Sequence, residues 1–127
     1  MYIDGLPSPA ILIEKSRLDA NIERMQAKAN DNNVNLRPHT KTHKSVTIAR
    51  QQVEAGAQGL TVAKTGEANV YANHGFSDLR IAYELIGEQK YKEIRSLMDK
   101  VRISFCVDTE AGAQDASAFF ANAGVEA

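Results

Sequence analysis

The chain has 127 residues and a formal net charge of −1, and it is 43% hydrophobic and 24% charged. These values are typical of one globular domain, and the near-neutral balance excludes a general electrostatic attraction to nucleic acid or anionic membranes. No apolar run approaches the roughly 18 residues of a transmembrane helix, and the N-terminus shows no signal-peptide pattern. The single cysteine, Cys106, excludes an internal disulfide framework. We therefore expect a cytoplasmic protein without nucleic-acid or membrane partners.

Predicted strands and helices alternate along the chain. An N-terminal loop leads to a short apolar strand at 11–14, and Ser16 with Asp19 then forms a capping pattern that begins a helix. Four polar residues at 30–33 end that helix. Further strands are predicted at 34–37, 59–63, 79–83 and 101–107, and further helices are predicted to begin near Ser45, Thr65, Gly87 and Asp108.

This alternation, at roughly 20 to 25 residues per unit, is typical of parallel strands joined by helical crossovers. A small doubly wound sheet would be complete at this length, but no Gly-x-Gly-x-x-Gly sequence follows any predicted strand. The rhythm also calls for another strand where the sequence stops. We therefore interpret the chain as α/β, the N-terminal portion of a parallel (β/α)₈ barrel truncated after about four βα units. A whole barrel of this kind needs about 250 residues.

A basic stretch at 36–45 contains one arginine, two lysines and two of the three histidines of the chain. In α/β barrels the working residues lie at the carboxyl ends of strands, where the predicted pattern places Lys41 and His43. A lysine there can form a Schiff base if its ammonium group is desolvated or crowded by other cations. The simplest alternative is a solvated basic loop before a helix.

The residues of this stretch also allow metal binding and phosphate or nucleic-acid contact as interpretations. His39 and His43 are four residues apart and could share a metal ion, but Pro38 and the flanking lysines oppose this and no carboxylate lies nearby in the sequence. Phosphate or nucleic-acid contact would need a wider basic face with interleaved aromatic residues. Covalent catalysis by a lysine is the third interpretation. Elsewhere, Glu67 is a candidate for contact with the active-site loops, although an acidic residue in the first turn of a helix is also favoured by the helix dipole alone. Lys64 at a strand end is a candidate contact for a phosphate.

The string at 37–44, Arg-Pro-His-Thr-Lys-Thr-His-Lys, resembles the cofactor-lysine motif of pyridoxal-phosphate enzymes of the alanine-racemase-like barrel class, fold type III. Within that class it is similar to the D-threonine aldolase and D-serine dehydratase branch. The segments 6–10 with 17–22, and 61–68 with 77–83, resemble the same proteins. The resemblance spans essentially the whole chain.

The resemblance implies a Schiff base between Lys41 and pyridoxal 5′-phosphate, with His39 and His43 close to Lys41 and the cofactor ring. Arg37 and Tyr83 are further candidates for cofactor binding. The cofactor would act as electron sink for a carbanion at the α-carbon of a D-amino acid. A divalent metal would engage the β-hydroxyl of the substrate, and its ligands would lie outside this chain.

The resemblance therefore implies a lyase for β-hydroxy D-amino acids, of the D-threonine aldolase or D-serine dehydratase type. An amino-acid racemase of the alanine racemase type and a non-catalytic pyridoxal-phosphate-binding protein are the alternatives. Residues 1–127 would form a partial barrel domain, and residues 1–15 a loop and strand that pair with a missing C-terminal β-domain. We expect the chain alone to be inactive. We also expect an exposed sheet edge to favour association and the complete protein to be a homodimer.

Overall fold

In the computed structural model, residues 5–125 are described, and within them helices alternate with strands. Residues 1–4, which include the start of the predicted N-terminal loop, and residues 126–127 lie outside this range. The helices are α1 (Lys15–Asp31), α2 (Val46–Glu54), α3 (Thr65–Asn73), α4 (Glu88–Met98) and α5 (Glu110–Asn122). The strands are β1 (Leu60–Val62), β2 (Asp78–Glu84) and β3 (Arg102–Cys106).

The three strands form one parallel sheet in the order β1-β2-β3. Leu60 is in register with Leu79, and Asp78 is in register with Arg102. Helix α3 returns the chain from β1 to the start of β2, and α4 returns it from β2 to the start of β3, which are the crossovers that parallel pairing requires. The predicted parallel α/β class is therefore confirmed.

The segment at 34–39 runs beside β1, on the side away from β2. The N–H of Gln58 donates to the carbonyl of Leu36 (2.9 Å), and the N–H of Thr61 donates to the carbonyl of Pro38 (2.8 Å). His39 forms a single parallel bridge with Thr61. The strand predicted at 34–37 is not a regular strand. Pro38 has no N–H to donate, so a continuous ladder cannot form through it.

The N-terminal region departs from the prediction in two respects. Residues 11–14 form no strand in the described chain, and Ile11 is 96% exposed, because no neighbouring strand there satisfies their backbone groups. The pairing of residues 1–15 with a further β-domain stays a prediction. Ser16 is not the N-cap of α1: the helix begins at Lys15, and Glu14 occupies the capping position without a side-chain capping bond. Ser16 Oγ instead donates to Glu14 Oε1 at 3.0 Å.

Other helix boundaries follow the predicted signals. Ser45 Oγ accepts a hydrogen bond from the N–H of Ile48 (3.3 Å) at the start of α2, and Thr109 Oγ1 accepts one from the N–H of Gly112 (3.0 Å) at the start of α5. A capping bond of this kind stabilises a helix by about 1 kcal/mol. Helix α1 ends within the polar run, where Asn33 adopts a left-handed conformation with φ of 53°.

The hydrophobic core lies on one face of the sheet. Leu60, Val62, Leu79 and Ile81 are fully buried, and they belong to one cluster with residues of α2 to α5. The helix residues of this cluster are Ala49, Ala68, Tyr71, Tyr91, Ile94, Leu97, Ala116 and Phe120.

The opposite face of the sheet is polar. Thr61, Arg80 and Ser104 are in register across the three strands, and all three are at least partly exposed. Helices α2 to α5 therefore pack on the same side of the sheet. Across residues 5–125, no helix has the length and apolar character needed to span a membrane.

Candidate active site

The basic stretch forms a tight turn at the carboxyl edge of the sheet. We name residues Thr40–Lys44 the Lys41 turn. The N–H of Thr40 donates to the carbonyl of Thr61 (2.9 Å), and the N–H of Lys44 donates back to the carbonyl of Thr40 (2.8 Å). Thr40 is buried, whereas Lys41 is exposed. The turn is thus tied to β1 at its first residue and presents Lys41 to solvent.

The side chain of Lys41 is unengaged. Its ammonium group makes no hydrogen bond or ion pair with any residue between 5 and 125, and the backbone N–H of Lys41 donates to His39 Nδ1 at 3.2 Å. A free amine on a fixed backbone is what covalent attachment of an aldehyde requires. The predicted position of Lys41 at the carboxyl end of a strand-like segment agrees with this geometry.

His39 and His43 serve the backbone of the turn in the same way. Each accepts a hydrogen bond at Nδ1 from the N–H two residues further on: His39 from Lys41, and His43 from Ser45 at 3.0 Å. Burial lowers the pKa of His39, and the positive charge of Lys41 adds to this effect. Burial likewise lowers the pKa of His43. Both rings are therefore neutral at pH 7 with the proton on Nε2, because Nδ1 is the acceptor.

The described chain places no further metal ligand beside the two histidines. Among residues 5–125, no group of three or more histidine, cysteine, aspartate or glutamate side chains could hold a metal ion. The Nδ1 atoms of both histidines are already engaged by backbone N–H groups. The two rings instead stabilise the backbone of the Lys41 turn through these hydrogen bonds.

Arg37 lies at the other end of the sheet. Its guanidinium forms two hydrogen bonds with the carboxylate of Asp78, at 2.8 and 2.9 Å, and Asp78 is the first residue of β2. These bonds lower the pKa of Asp78 and raise that of Arg37. The structure does not bring Arg37 together with Lys41, and a role for Arg37 in cofactor binding stays a prediction. Its observed role is to tie the segment before the Lys41 turn to β2.

Tyr83 and Lys64 lie at the same edge of the sheet as Lys41 but form no hydrogen bond or ion pair with it. Tyr83 is 48% exposed near the end of β2, which is separated from the His39 segment by β1. Two strand spacings correspond to about 10 Å. A role for Tyr83 in cofactor binding stays a prediction. Lys64 is the N-cap of α3 and is exposed.

Two acidic residues of this region pair with partners that the sequence did not identify. Glu67 accepts a hydrogen bond from Lys44 Nζ, and Asp78 pairs with Arg37. The partners are 23 and 41 residues apart in the chain, and no local pattern in the sequence reveals such pairs. The contact of Glu67 with the Lys41 turn agrees with the expectation that Glu67 contacts the active-site loops, whereas the pairing of Asp78 with Arg37 had no signal in the sequence.

Comparison with known proteins adds independent evidence. Residues 13–127 match the family described as "Alanine racemase, N-terminal domain". A D-threonine aldolase from Arthrobacter sp. is 33% identical over 119 residues, which are 94% of this chain and 31% of that protein. A D-threo-3-hydroxyaspartate dehydratase from Delftia sp. (strain HT23) is 35% identical over 114 residues, which are 90% of this chain and 30% of that protein.

A solved structure gives the same result for the fold. The crystal structure of D-threonine aldolase from Filomicrobium marinum superposes with a TM-score of 0.88 at 32% identity. The superposition covers 94% of this chain and 32% of that one. The chain thus spans about a third of the length of the relatives that it matches.

Proposed function

Because the chain belongs to the family of the alanine racemase N-terminal domain, we propose that it is the cofactor-anchoring part of a pyridoxal-phosphate-dependent lyase for β-hydroxy D-amino acids. The observation that carries this proposal is the free amine of Lys41, exposed in a turn whose backbone is held by β1 and by two neutral histidines. It lies at the carboxyl edge of a parallel sheet, which is where α/β enzymes bind substrates.

The arrangement of layers supports a barrel. A doubly wound sheet carries helices on both faces, whereas here α2 to α5 pack on one face and Thr61, Arg80 and Ser104 line the other. In a closed (β/α)₈ barrel the helix-free face becomes the interior. We therefore propose that the sheet is the first part of such a barrel, with the segment at 34–39 as its first strand position.

The described residues fit the aldehyde end of pyridoxal phosphate. Lys41 supplies an unpaired amine, and the neutral rings of His39 and His43 add no positive charge around it. When bound through its aldehyde, the cofactor supplies an electron sink for a carbanion at the α-carbon of the substrate. Lys64, exposed at the start of α3, is the candidate contact of the described chain for the phosphate end.

The substrate class rests on the names of the relatives. D-Threonine and D-threo-3-hydroxyaspartate are both D-amino acids with a hydroxyl group on the β-carbon. Cleavage of the bond between the α- and β-carbons releases an aldehyde, and loss of the β-hydroxyl releases water. We propose that a divalent metal with ligands outside residues 5–125 binds this hydroxyl. We also propose that the complete protein is a cytoplasmic homodimer and that the present chain alone does not turn over substrate.

The test is an assay of the complete protein with D-threonine, its L-enantiomer and pyridoxal phosphate. We expect activity toward the D-enantiomer that Lys41→Ala abolishes. An aldehyde with glycine identifies an aldolase, and a keto acid with ammonia identifies a dehydratase. Lys100→Ala is the matched control, because Lys100 is an exposed lysine outside the Lys41 turn, and this variant should retain the cofactor on Lys41 and the activity. Conversion to the L-enantiomer alone, or full activity of Lys41→Ala, would contradict the proposal.

A further inference from the structure

Glu67 joins two connections at the carboxyl edge of the sheet. Its Oε1 accepts a hydrogen bond from Lys44 Nζ at 2.8 Å, and its Oε2 accepts one from the N–H of Ala63 at 2.8 Å. Lys44 is the last residue of the Lys41 turn, and Ala63 directly follows β1. One carboxylate therefore links the Lys41 turn to the loop between β1 and α3.

The carboxylate of Glu67 is shielded from solvent. The side chain of Glu67 is 12% exposed, although that of Lys44 is 63% exposed. Burial by itself raises the pKa of Glu67, but the hydrogen bonds from Lys44 and Ala63, together with the charges of Lys44 and Lys64, outweigh it and lower the pKa. Glu67 is thus ionised at neutral pH. Hydrogen bonds to an ionised acceptor are stronger than those between neutral groups.

The backbone of Lys44 needs such support. Its φ of 47° lies in the left-handed region, which costs an L-residue about 1–2 kcal/mol. Thr40, at the other end of the Lys41 turn, is fixed through its bond to the carbonyl of Thr61. The turn is therefore anchored to β1 at Thr40 and to Glu67 at Lys44, and Lys41 lies between the two anchors.

We propose that Glu67 is a positioning residue for Lys41: by holding Lys44, it fixes the conformation of the Lys41 turn and so the direction of the Lys41 amine. This role rests on the proposed function of Lys41. Glu67 acts through Lys44 and does not touch the cofactor. A misplacement of a reacting group by about 1 Å can slow a reaction as much as a hundredfold, so loss of one anchor should be measurable.

The first test measures attachment of pyridoxal phosphate to the complete protein. Glu67→Gln removes the charge, and Lys44→Met removes its partner. We expect each change to slow formation of the borohydride-trapped Lys41 adduct by about ten- to a hundredfold. The double variant should be no slower than either single variant, because both changes break the same contact.

Glu88→Gln is the matched control. Glu88 occupies the first turn of α4, as Glu67 occupies that of α3, and it pairs with Lys92 at 2.8 Å on the surface. If Glu67 served only the helix dipole, the two changes would have the same small effect on attachment. We expect Glu88→Gln to leave the attachment rate unchanged. Equal attachment rates in Glu67→Gln, Lys44→Met and the parent protein would overturn the proposal.

A second measurement does not depend on the cofactor. Hydrogen exchange of the Lys44 N–H, which is bonded to the carbonyl of Thr40, reports directly on closure of the turn. We expect this exchange to be about tenfold faster in Glu67→Gln, whereas unchanged exchange would refute the positioning role. A parent protein that forms no Lys41 adduct, yet shows faster exchange in the variant, would instead contradict only the proposed function.

Discussion

Arg37 and Asp78 form a partly buried ion pair with two hydrogen bonds. Their side chains are 27% and 14% exposed, and the two bonds have the bidentate geometry that arginine favours with a carboxylate. Arg102 also approaches Asp78, at 3.7 Å, but its own side chain is 76% exposed. Both arginines therefore interact with the Asp78 carboxylate, Arg37 from a partly buried position and Arg102 from the solvent-exposed surface.

This difference predicts unequal effects of substitution. Arg37→Gln should lower the free energy of unfolding by about 2 kcal/mol, because it leaves a partly buried carboxylate without its main donor. Arg102→Gln should lower it by less than about 0.5 kcal/mol, because an exposed pair is screened by solvent. Urea unfolding at neutral pH measures both. Equal losses would show that burial of the Arg37 pair does not contribute.

The partly buried histidine of the Lys41 turn, His43, predicts a dependence of stability on pH. Burial lowers the pKa of His43 below its ordinary value of 6.5, so the unfolded chain binds more protons than the folded chain between the two values. The free energy of unfolding should therefore fall as the pH drops below about 6.5. His43→Asn, whose side-chain oxygen can still accept from the Ser45 N–H, should flatten this slope.

The measurement is denaturant unfolding at a series of pH values from about 5 to 7.5. His74→Asn is the control, because His74 is exposed at the end of α3. The control should keep the slope of the parent chain. A slope that survives in His43→Asn would mean that other groups, such as His39, account for it.

At the scale of elements, β1 and β2 approach closely at Gly59. A Cβ built on Gly59 would lie 2.4 Å from the carbonyl oxygen of Asp78, which is too short for any real contact. Gly59→Ala should therefore push the two strands apart and lower the free energy of unfolding by about 2 kcal/mol.

Gly66 provides the matched control for this prediction. It lies in α3, and a Cβ there would meet nothing within 4 Å. Gly66→Ala should be neutral or should stabilise the helix by up to about 1 kcal/mol. Thermal unfolding of the two variants distinguishes them. A Gly59→Ala variant as stable as the parent would contradict the close approach of the strands.

The helices and strands also show which parts of the fold can be predicted from the sequence alone. Helices α2 to α5 and strands β1 to β3 were predictable because apolar spacing and local capping residues determine them. The strand at 11–14 failed because a strand depends on a neighbour, and the segment at 34–37 failed as a regular strand because Pro38 interrupts its hydrogen bonds. The position of Lys41 at the carboxyl edge of the sheet was predictable from the strand-like segment before it, and its bond to a cofactor stays a prediction. The partners of Arg37 and Glu67 were not predictable, because they are distant in sequence.

At the scale of the whole molecule, the sheet has an uncovered face and an uncovered edge. The polar face carries Thr61, Arg80 and Ser104, and an apolar groove lined by Ile103, Phe105 and Val107 lies beside the outer strand, β3. Exposed apolar surface of this kind is typical of a face that packs against further structure. These features agree with the proposal that a larger barrel completes the site.

The central claim is that Lys41 anchors pyridoxal phosphate. The most direct measurement is mass mapping of the complete protein after incubation with pyridoxal phosphate and reduction with borohydride. We predict one stoichiometric adduct on Lys41, which forms in Lys64→Ala, forms more slowly in Lys44→Ala, and is absent in Lys41→Ala. An adduct on Lys44 or Lys64 of the parent protein, or an adduct of equal yield in Lys41→Ala, would contradict the claim.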